Sequence, residues 1–315
     1  MDLSIVIVNW NTKQILKECL QSTMAGVDGL AAEVLVVDNG SQDGSADMVA
    51  AEFPSVQLIR NKDNRGFAAA NNQAIQIAKG DYVLLLNSDT VVLGDVLQRS
   101  VDYIKARPGV GVFGCRVLNT DGSVQLTCSQ LPTLTNLFLL ATGLFRLKWP
   151  RFCSRYQLLN WNRNSEREVQ TVTGCYMLVR MEALKEVGLL DESFFFYGEE
   201  TDWCKRFADS GWQLMFAPVG EIIHHGSLSS KACNHRRDLM LTEGILRFHR
   251  KHSGLAATCF AWGLLGFFNT SRFVFWKLLS FVGRAEAAKK RASHFGNVVK
   301  EFSRAWPKSE VQFGR

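Results

Sequence analysis

The sequence contains no pair of cysteines at the CxxC spacing that is typical of zinc sites and redox pairs. Eight cysteines are instead scattered along the chain, from Cys19 to Cys259. We therefore expect reduced thiols in the cytosol, without disulfides or zinc. A basic leader is also missing at the start, where "MDLSIVIVNWN" predicts a strand rather than a signal peptide.

Internal repeats and low-complexity segments are absent as well, and the composition excludes wholesale disorder, with 47% hydrophobic and 21% charged residues. The net charge of +6 is unevenly distributed. Residues 1–230 carry 20 Lys and Arg against 25 Asp and Glu, a net of −5, whereas residues 231–315 carry 16 against 5, a net of +11. The basic C-terminal part suits either anionic lipid or nucleic acid.

The first hundred residues alternate short apolar runs with segments of helical spacing. Strands are predicted at residues 3–8, 34–37, 56–60 and 81–86, and helices at 14–24, 46–53 and 67–78. This alternation predicts an α/β fold, with a mixed, mostly parallel, Rossmann-like sheet flanked by helices. Ligands of such sheets bind beyond the carboxyl ends of the strands, which here read "NWN", "DNGS", "NKDNRG" and "NSD".

The middle of the chain has a weaker pattern. "GVFGCRVLNTDGSVQ" predicts two strands joined by an Asp-Gly turn, and "TVTGCYMLVRMEAL" predicts a strand followed by a helix. Residues 132–160 form an aromatic and basic insertion. We expect a catalytic domain at 1–230, with halves at 1–110 and 111–230, and a helical extension at 231–315.

The extension contains an uncharged stretch at residues 254–271, followed by aromatic and basic segments. Its length is at the lower limit for a transmembrane span. Aromatic residues beside basic ones favour helices that lie at the membrane interface. A buried pair of C-terminal helices is the alternative interpretation.

Two strand ends carry carboxylates. In "NSD", Asn87–Ser88–Asp89, the Asp89 carboxylate could hold a divalent cation that bridges phosphate oxygens. The alternative is that Asp89 caps a helix beginning at "TVVLGDVL". Asp38, at the end of another strand, could accept hydrogen bonds from a base or a ribose, although the segment after it could be a simple turn.

Other polar groups add to these. Arg65 and Gly66 precede a predicted helix, whose N-terminus together with an arginine forms an anion site. Asn71 and Asn72 are unusual within an alanine-rich helix. The pair His224–His225 could supply a metal ligand or could be a surface pair.

Three acids directly follow an aromatic patch in "FFFYGEETDWCKR". Glu199, Glu200 and Asp202 lie on the first turn of a predicted helix, where the helix dipole alone would favour them. A neighbouring apolar wall would also desolvate a carboxylate and raise its pKa, as a general base requires.

In their order along the chain, these motifs closely resemble glycosyltransferase family 2 and its rhamnosyltransferase-like branch. The motifs that carry the resemblance are "SIVIVNWN", "VVDNGSQDGS", "NRGFAAANNQAI", "LLLNSDT", the segment from "TGCYMLVRMEAL" to "FADSGW", and "IIHHGSLSS". They cover about residues 3–230. The resemblance implies a GT-A fold and an inverting transferase that uses a nucleotide-diphospho-sugar and a divalent cation, Mg²⁺ or Mn²⁺.

The resemblance also implies roles for individual residues. Asp89 and His224 would bind the metal, with His225 as the alternative to His224. Glu200 would be the general base, with Glu199 or Asp202 as alternatives, and Tyr197, Trp203 and Arg206 would contact the acceptor. The donor would be bound by Val8, Asn9, Asn11, Asp38, Asn39, Arg65, Gly66, Asn71, Asn87, Ser88 and Asp89.

The leading hypothesis is the transfer of L-rhamnose from dTDP-rhamnose to a glycan or polyprenyl-linked acceptor. The product would be a cell-surface polysaccharide, of the cell wall or of lipopolysaccharide, made at the cytoplasmic face of the inner membrane. Alternatives are a UDP-hexose or UDP-galactofuranose donor, or nucleotidyl transfer, which the acidic segment disfavours. The uncharged stretch disfavours a protein that binds nucleic acid through its basic tail, so no nucleic-acid partner is expected.

Overall fold

The structure is a computed structural model that describes residues 1–147, 152–226, 235–282 and 286–307. Cys233 and the last letters of the "IIHHGSLSS" motif lie outside the described residues. The chain divides into two compact units. One comprises Met1–Gln130, Gln157–Phe195 and Glu199–Ser229, and the other comprises Leu131–Tyr156, Phe196–Gly198 and Ser230–Arg315.

A nine-stranded mixed sheet forms the centre of the first unit. Its strands are β1 (Leu3–Asn9), β2 (Ala32–Asp38), β3 (Gln57–Arg60), β4 (Tyr82–Asn87), β5 (Thr90–Val92), β6 (Val110–Leu118), β7 (Arg167–Glu168), β8 (Tyr176–Arg180) and β9 (Gln213–His224). The order is β3-β2-β1-β4-β8-β6-β9-β5, with β7 paired to β9. Strands β3, β2, β1 and β4 are parallel neighbours, whereas β8 is antiparallel to both β4 and β6. The predicted fold class is confirmed.

Helices cover both faces of this sheet because its strands are apolar on both sides. They are α1 (Lys13–Gly26), α2 (Ser45–Glu52), α3 (Phe67–Ile75), α4 (Val96–Lys105), α6 (Met181–Val187) and α7 (Glu199–Asp209). Ile5 and Ile7 of β1 belong to one core cluster, which includes residues of α1 and α4. Val6, between them, belongs to the opposite cluster, which includes residues of α3, α6 and α7. Six of the seven described cysteines are buried, and all seven are free.

Two local predictions were wrong. Residues 90–92 form strand β5 against β9, so Asp89 does not cap a helix at that point. The Asp-Gly turn forms, with the Asn119 N–H donating to Ser123 O, but the expected second strand is reduced to a bridge between Leu118 and Val124. Residues 90–92 form a strand because they pair with β9, which is distant in the sequence. The spacing of local residues cannot predict such pairing.

The second unit is helical. It contains α5 (Leu134–Thr142), α8 (His235–His252), α9 (Gly254–Val282) and α10 (Glu286–Glu301). Its core joins Leu137 of α5, Leu246 of α8, Leu265 of α9 and Val298 of α10. In the described part of the chain, no helix combines the length and apolarity needed to cross a membrane.

Candidate active site

The carboxyl ends of β1 and β2 place a buried carboxylate at the edge of the sheet. Asn9 and Asp38 are register partners in adjacent parallel strands. The Asn9 Nδ2 group donates to Asp38 Oδ2 at 3.2 Å, and the Ser41 N–H donates to Asp38 Oδ1 at 3.0 Å. Asp38 is 3% exposed. These donors fix the orientation of the carboxylate that was predicted to recognise the nucleoside.

The loop after β1 is tied to the loop after β2. Asn11 has a left-handed backbone, with φ of 53°. Its N–H donates to Ser41 Oγ at 2.9 Å, and its Oδ1 accepts from the Gln42 N–H at 2.8 Å. Asn11 is exposed and Val8 is half-buried at this edge. These two hydrogen bonds join the two loops beside Asp38.

Asn39 has a structural role in the same edge. Its Oδ1 accepts from the Arg65 N–H at 3.1 Å and from Asn61 Nδ2 at 3.0 Å. Its Nδ2 donates to Asn64 Oδ1 at 2.8 Å. Asn39 is buried whereas the Arg65 side chain is exposed. The amide thus positions the loop that presents Arg65, and the contact of Asn39 itself with the donor stays a prediction.

Asn9 and Asn71 were also predicted to contact the donor, and both are buried with their amides bonded inside the protein. The Asn9 Oδ1 accepts from Thr12 Oγ1 at 2.6 Å, in addition to the bond from Asn9 Nδ2 to Asp38. The Asn71 Nδ2 donates to Phe67 O, one turn back in α3, at 2.9 Å. These contacts position the two amides within the protein, and their direct contact with the donor stays a prediction.

Gly66 joins the start of α3 to the aromatic segment before the acids. It has φ of 84° and ψ of 170°, a conformation that is accessible essentially to glycine alone. A Cβ at this position would lie 2.6 Å from Phe195 O. The next residue, Phe67, donates its N–H to the same Phe195 O at 3.0 Å. The predicted anion-binding loop and the segment that leads to Glu199 are therefore in direct contact.

A carboxylate and an imidazole meet at the end of β4. The order of the strands reverses about β1 and β4, which makes this edge a topological switch point. Asp89 Oδ1 lies 3.1 Å from His224 Nε2, and Asn87 Nδ2 lies 3.4 Å from the same nitrogen. Ser88, on the same turn, lies 3.4 Å by its Oγ from Thr12 Oγ1. The structure brings together the predicted metal ligands.

Gln125 holds the other side of the histidine ring, and no sequence motif identified this residue. Its Oε1 lies 2.7 Å from His224 Nδ1, and its Nε2 donates to Asn119 Oδ1 at 2.9 Å. The bond to Asn119 assigns oxygen to the atom that faces the ring, so Nδ1 carries the proton. In the neutral ring, Nε2 is then the unprotonated nitrogen, and it faces the Asp89 carboxylate.

That arrangement of two acceptors fits a divalent cation. Cis ligands at about 2.1 Å from an octahedral ion are separated by about 3.0 Å, which matches the observed 3.1 Å between Asp89 Oδ1 and His224 Nε2. No group of three or more His, Cys, Asp or Glu side chains capable of holding a metal occurs among the described residues. Asp89 and His224 would thus leave several coordination positions for oxygens of a bound diphosphate.

His225 is placed differently from His224. Its backbone N–H donates to Asp89 O at 2.9 Å, and its ring Nε2 is buried without a hydrogen-bond partner. The contact with the Asp89 carboxylate belongs to His224. Of the two histidines, the structure favours His224 as the ligand.

The acids at the start of α7 differ in environment. Glu199 is 4% exposed, and burial, with a smaller contribution from the charge of Glu200, raises its pKa well above the ordinary value. The neighbouring Glu200 is only half-buried. The buried environment of Glu199 therefore favours the neutral form of its carboxyl group.

The other residues of the acidic segment stabilise the fold. Trp203 is completely buried in the core, and its Nε1 donates to Gly188 O at 2.8 Å. This burial contradicts the prediction that Trp203 stacks on a sugar. Arg206 donates to Asp202 Oδ2 at 2.9 Å and to the carbonyls of Val187 and Leu189. These bonds hold the two side chains together, and both the acceptor role of Arg206 and the alternative in which Asp202 is the base stay predictions.

Cys175 connects the metal-binding edge with the acidic helix. Its carbonyl accepts from the Asn87 N–H at 3.2 Å. Burial raises the pKa of its thiol most strongly, and the nearby Cys128, Asp89 and Glu200 raise it further. Cys175 is thus near both the edge that carries Asp89 and the start of α7.

The chain is similar in sequence to curated glycosyltransferases. It is 29% identical over 242 residues to the N-acetylglucosaminyl-diphospho-decaprenol L-rhamnosyltransferase of Mycobacterium tuberculosis. The matched region covers 72% of this chain and 77% of the relative. It is also 25% identical over 228 residues to the low-salt glycan biosynthesis hexosyltransferase Agl10 of Haloferax volcanii, covering 71% and 67%.

Solved structures share the fold. The mannosyltransferase PcManGT of Pyrobaculum calidifontis, in complex with GDP-Man and Mn²⁺, superposes with a TM-score of 0.58 at 15% identity, covering 98% of this chain and 88% of that one. This likeness supports the GT-A assignment. The profile of "Glycosyl transferase family 2" matches residues 4–188, which is more than half of the chain. The chain therefore belongs to glycosyltransferase family 2, with relatives of the rhamnosyltransferase type.

Proposed function

We propose that this family-2 glycosyltransferase transfers L-rhamnose from dTDP-rhamnose, with inversion, to a hydroxyl of a glycan or polyprenyl-linked acceptor. The observation that carries the chemistry is the contact of Asp89 Oδ1 with His224 Nε2 at the switch-point edge of the sheet. The choice of rhamnose and of a lipid-linked acceptor is supported by the similarity to the mycobacterial rhamnosyltransferase. The product would belong to a cell-surface polysaccharide.

The donor would bind along the carboxyl ends of β1, β2 and β4. Asp38 would accept hydrogen bonds from the nucleoside, beside Val8 and the exposed Asn11. The guanidinium of Arg65 would pair with the diphosphate. Asn87 and Ser88 would line the same edge next to Asp89.

Asp89 and His224 would hold a divalent cation, Mg²⁺ or Mn²⁺. When bound, such an ion neutralises charge on a diphosphate leaving group. Gln125 keeps His224 in the tautomer whose Nε2 is free to coordinate. Asp89 lies in the turn between β4 and β5, and His224 is the last residue of β9.

Glu200 would act as the general base. Its carboxylate would remove the proton of the acceptor hydroxyl as that oxygen attacks the anomeric carbon and the bond to the diphosphate breaks. Attack from the face opposite the leaving group inverts the configuration. Buried Glu199 would stay protonated and so would not compete for this proton.

The remaining proposals concern organisation. Residues 1–110 would bind the donor, residues 111–230 would bind the acceptor, and residues 231–315 would be an extension that associates with the cytoplasmic face of the inner membrane. Tyr197 belongs to the second unit, and its contact with the acceptor stays a prediction.

Transfer from a panel of donors tests the proposal. The protein would be incubated with Mn²⁺ or Mg²⁺, a polyprenyl-diphospho-sugar acceptor, and dTDP-rhamnose, UDP-hexoses or UDP-galactofuranose in turn. We expect nucleoside diphosphate release and product only with dTDP-rhamnose. Turnover with a UDP-sugar instead would reassign the donor, and no turnover with any donor would contradict the proposal.

A further inference from the structure

One face of helix α9 is buried against the other helices of the second unit. Thr258, Ala261, Leu265 and Asn269 are buried and recur every three or four residues, so they lie on one side of the helix. Helices α5, α8 and α10 all contact α9. This inner face accounts for the packing of the second unit.

The opposite face is apolar and exposed. Phe260, Phe267, Val274 and Phe281 repeat every seven residues, and Phe281 is 76% exposed. We call this set, with Leu278, the α9 stripe. A helix of 29 residues is about 43 Å long, so the stripe forms a continuous apolar surface of a kind that marks an interaction site.

The charges of α9 indicate what covers the stripe. The helix contains no Asp or Glu, and its charged residues are Arg272 and Lys277. Lys277 is exposed, and its Nζ lies 5.5 Å from the Phe281 ring, so an apolar stripe and a cation are presented together. Apolar and basic groups on one helix match an anionic lipid surface.

A second copy of the chain is a poorer match. Helices that pair through a seven-residue repeat use acids and bases beside the seam to form interhelical salt bridges. Helix α9 offers no acid, so pairing two copies would supply no such bridge. The depression of about 340 Å³ beside the stripe, lined by Cys259, Phe260, Gly263 and Leu264, is also apolar, and flexible acyl chains can fill it.

We propose that the α9 stripe docks on the surface of an anionic phospholipid bilayer, with Lys277 at the level of the headgroups. The proposal rests on the proposed function in one respect, because a polyprenyl-linked acceptor is held in the bilayer. It adds the surface, its orientation and the preference for anionic lipid.

Vesicle flotation of the full chain tests the docking. Vesicles of phosphatidylcholine alone would be compared with vesicles of equal parts phosphatidylcholine and phosphatidylglycerol. The triple variant Phe260→Ser, Phe267→Ser and Phe281→Ser should bind the anionic vesicles at least about tenfold more weakly. The matched control Ile77→Ser removes an exposed apolar side chain from the first unit and should bind like the wild type.

The charge is tested separately. Lys277→Glu should weaken binding to anionic vesicles and leave binding to neutral vesicles unchanged, whereas Lys105→Glu, an exposed lysine of α4, should change neither. A fluorophore on Cys259, attached in a Cys233→Ser background, should shift its emission to the blue on vesicle binding. This labelled protein keeps the stripe intact, so it remains informative if the triple variant is unstable.

The docking is overturned if the wild type does not float, or if the triple variant floats like the wild type. It is equally overturned if sedimentation shows a dimer that the triple variant loses, because the stripe would then pair two copies. Transfer to a short soluble acceptor separates the two proposals. Transfer without flotation contradicts the docking and the membrane association of residues 231–315 but leaves the proposed transfer reaction standing. Flotation without transfer contradicts the proposed transfer reaction and leaves the docking standing.

Discussion

At the residue scale, the imidazole of His224 is held from two sides. Gln125 Oε1 fixes its Nδ1, and Asp89 Oδ1 and Asn87 Nδ2 face its Nε2. Outer partners of this kind orient a metal ligand and set its tautomer. The affinity for a cation should therefore depend on a residue that never touches the cation.

Replacement of Gln125 by Leu should weaken Mn²⁺ binding by about 10- to 100-fold, because the ring would lose its fixed tautomer and orientation. Titration of the Mn²⁺ signal by electron paramagnetic resonance measures this directly. Gln98→Leu is the control, since Gln98 bonds only to the exposed Asp102 of α4 among the hydrogen bonds described. Equal Mn²⁺ affinity in both variants would rule out the positioning role.

Glu199 should make the protein less stable as the pH rises. Burial raises the pKa of Glu199 in the folded state, so the native protein keeps a proton that the unfolded chain releases above the ordinary value of 4.5. The free energy of unfolding then falls, by up to about 1.4 kcal/mol per pH unit, until the folded-state pKa is reached.

The variant Glu199→Gln should lack this loss, so its stability relative to the wild type should increase from acidic to neutral pH. Urea unfolding across that range measures the difference. Glu182→Gln, which replaces an exposed acid in the first turn of α6, should show no such trend. Parallel pH profiles for Glu199→Gln and the wild type would contradict the buried, protonated state.

At the scale of elements, the start of α3 depends on the absence of a side chain at Gly66. Gly66→Ala combines backbone strain with a clash at Phe195 O. Gly188→Ala is a matched control, because Gly188 has φ of 83° and ψ of −178° and no atom within 4 Å of the added Cβ. Both changes should cost about 1–3 kcal/mol of strain. Gly66→Ala should lower the unfolding free energy more than Gly188→Ala does. Equal losses in the two variants would contradict a close contact of residue 66 with Phe195.

Local pattern predicted the elements that carry the donor edge. The alternation of apolar runs and helical segments was sufficient for β1 to β4 and α1 to α3, because each is short, strongly apolar and bounded by turn residues. The same local reasoning failed at Thr90–Val92, where pairing with β9 decides the structure. It also could not distinguish asparagines that line a site from those that brace it, as Asn9, Asn39 and Asn71 do.

Some residues of the candidate site were also predicted from the sequence, and others were missed or misassigned. Asp38, Asp89 and Glu200 were identified through the family resemblance, and the structure adds how they are supported. Gln125 was missed because an isolated glutamine after a turn carries no pattern. Trp203 was misassigned because an aromatic residue beside acids has the same appearance in a sequence whether it faces a ligand or the core.

At the scale of the whole molecule, charge and hydropathy are separated between the two units. The sheet unit contains the acidic site residues, and the helical unit contains most of the basic C-terminal segment and the α9 stripe. Composition predicted this asymmetry, since residues 231–315 carry a net +11. It did not predict that residues 131–156 group with the C-terminal helices, which is a property of tertiary packing.

The measurement that tests the central claim most directly compares the wild type with Glu200→Gln. Donor binding would be followed by calorimetry in the presence of Mn²⁺, and transfer by release of nucleoside diphosphate with a lipid-linked acceptor. Loss of a general base should lower the transfer rate by about 100-fold or more while donor binding stays unchanged. Glu182→Gln should behave like the wild type in both assays. A Glu200→Gln variant that keeps full transfer activity would contradict the account, because another group would then remove the proton from the acceptor.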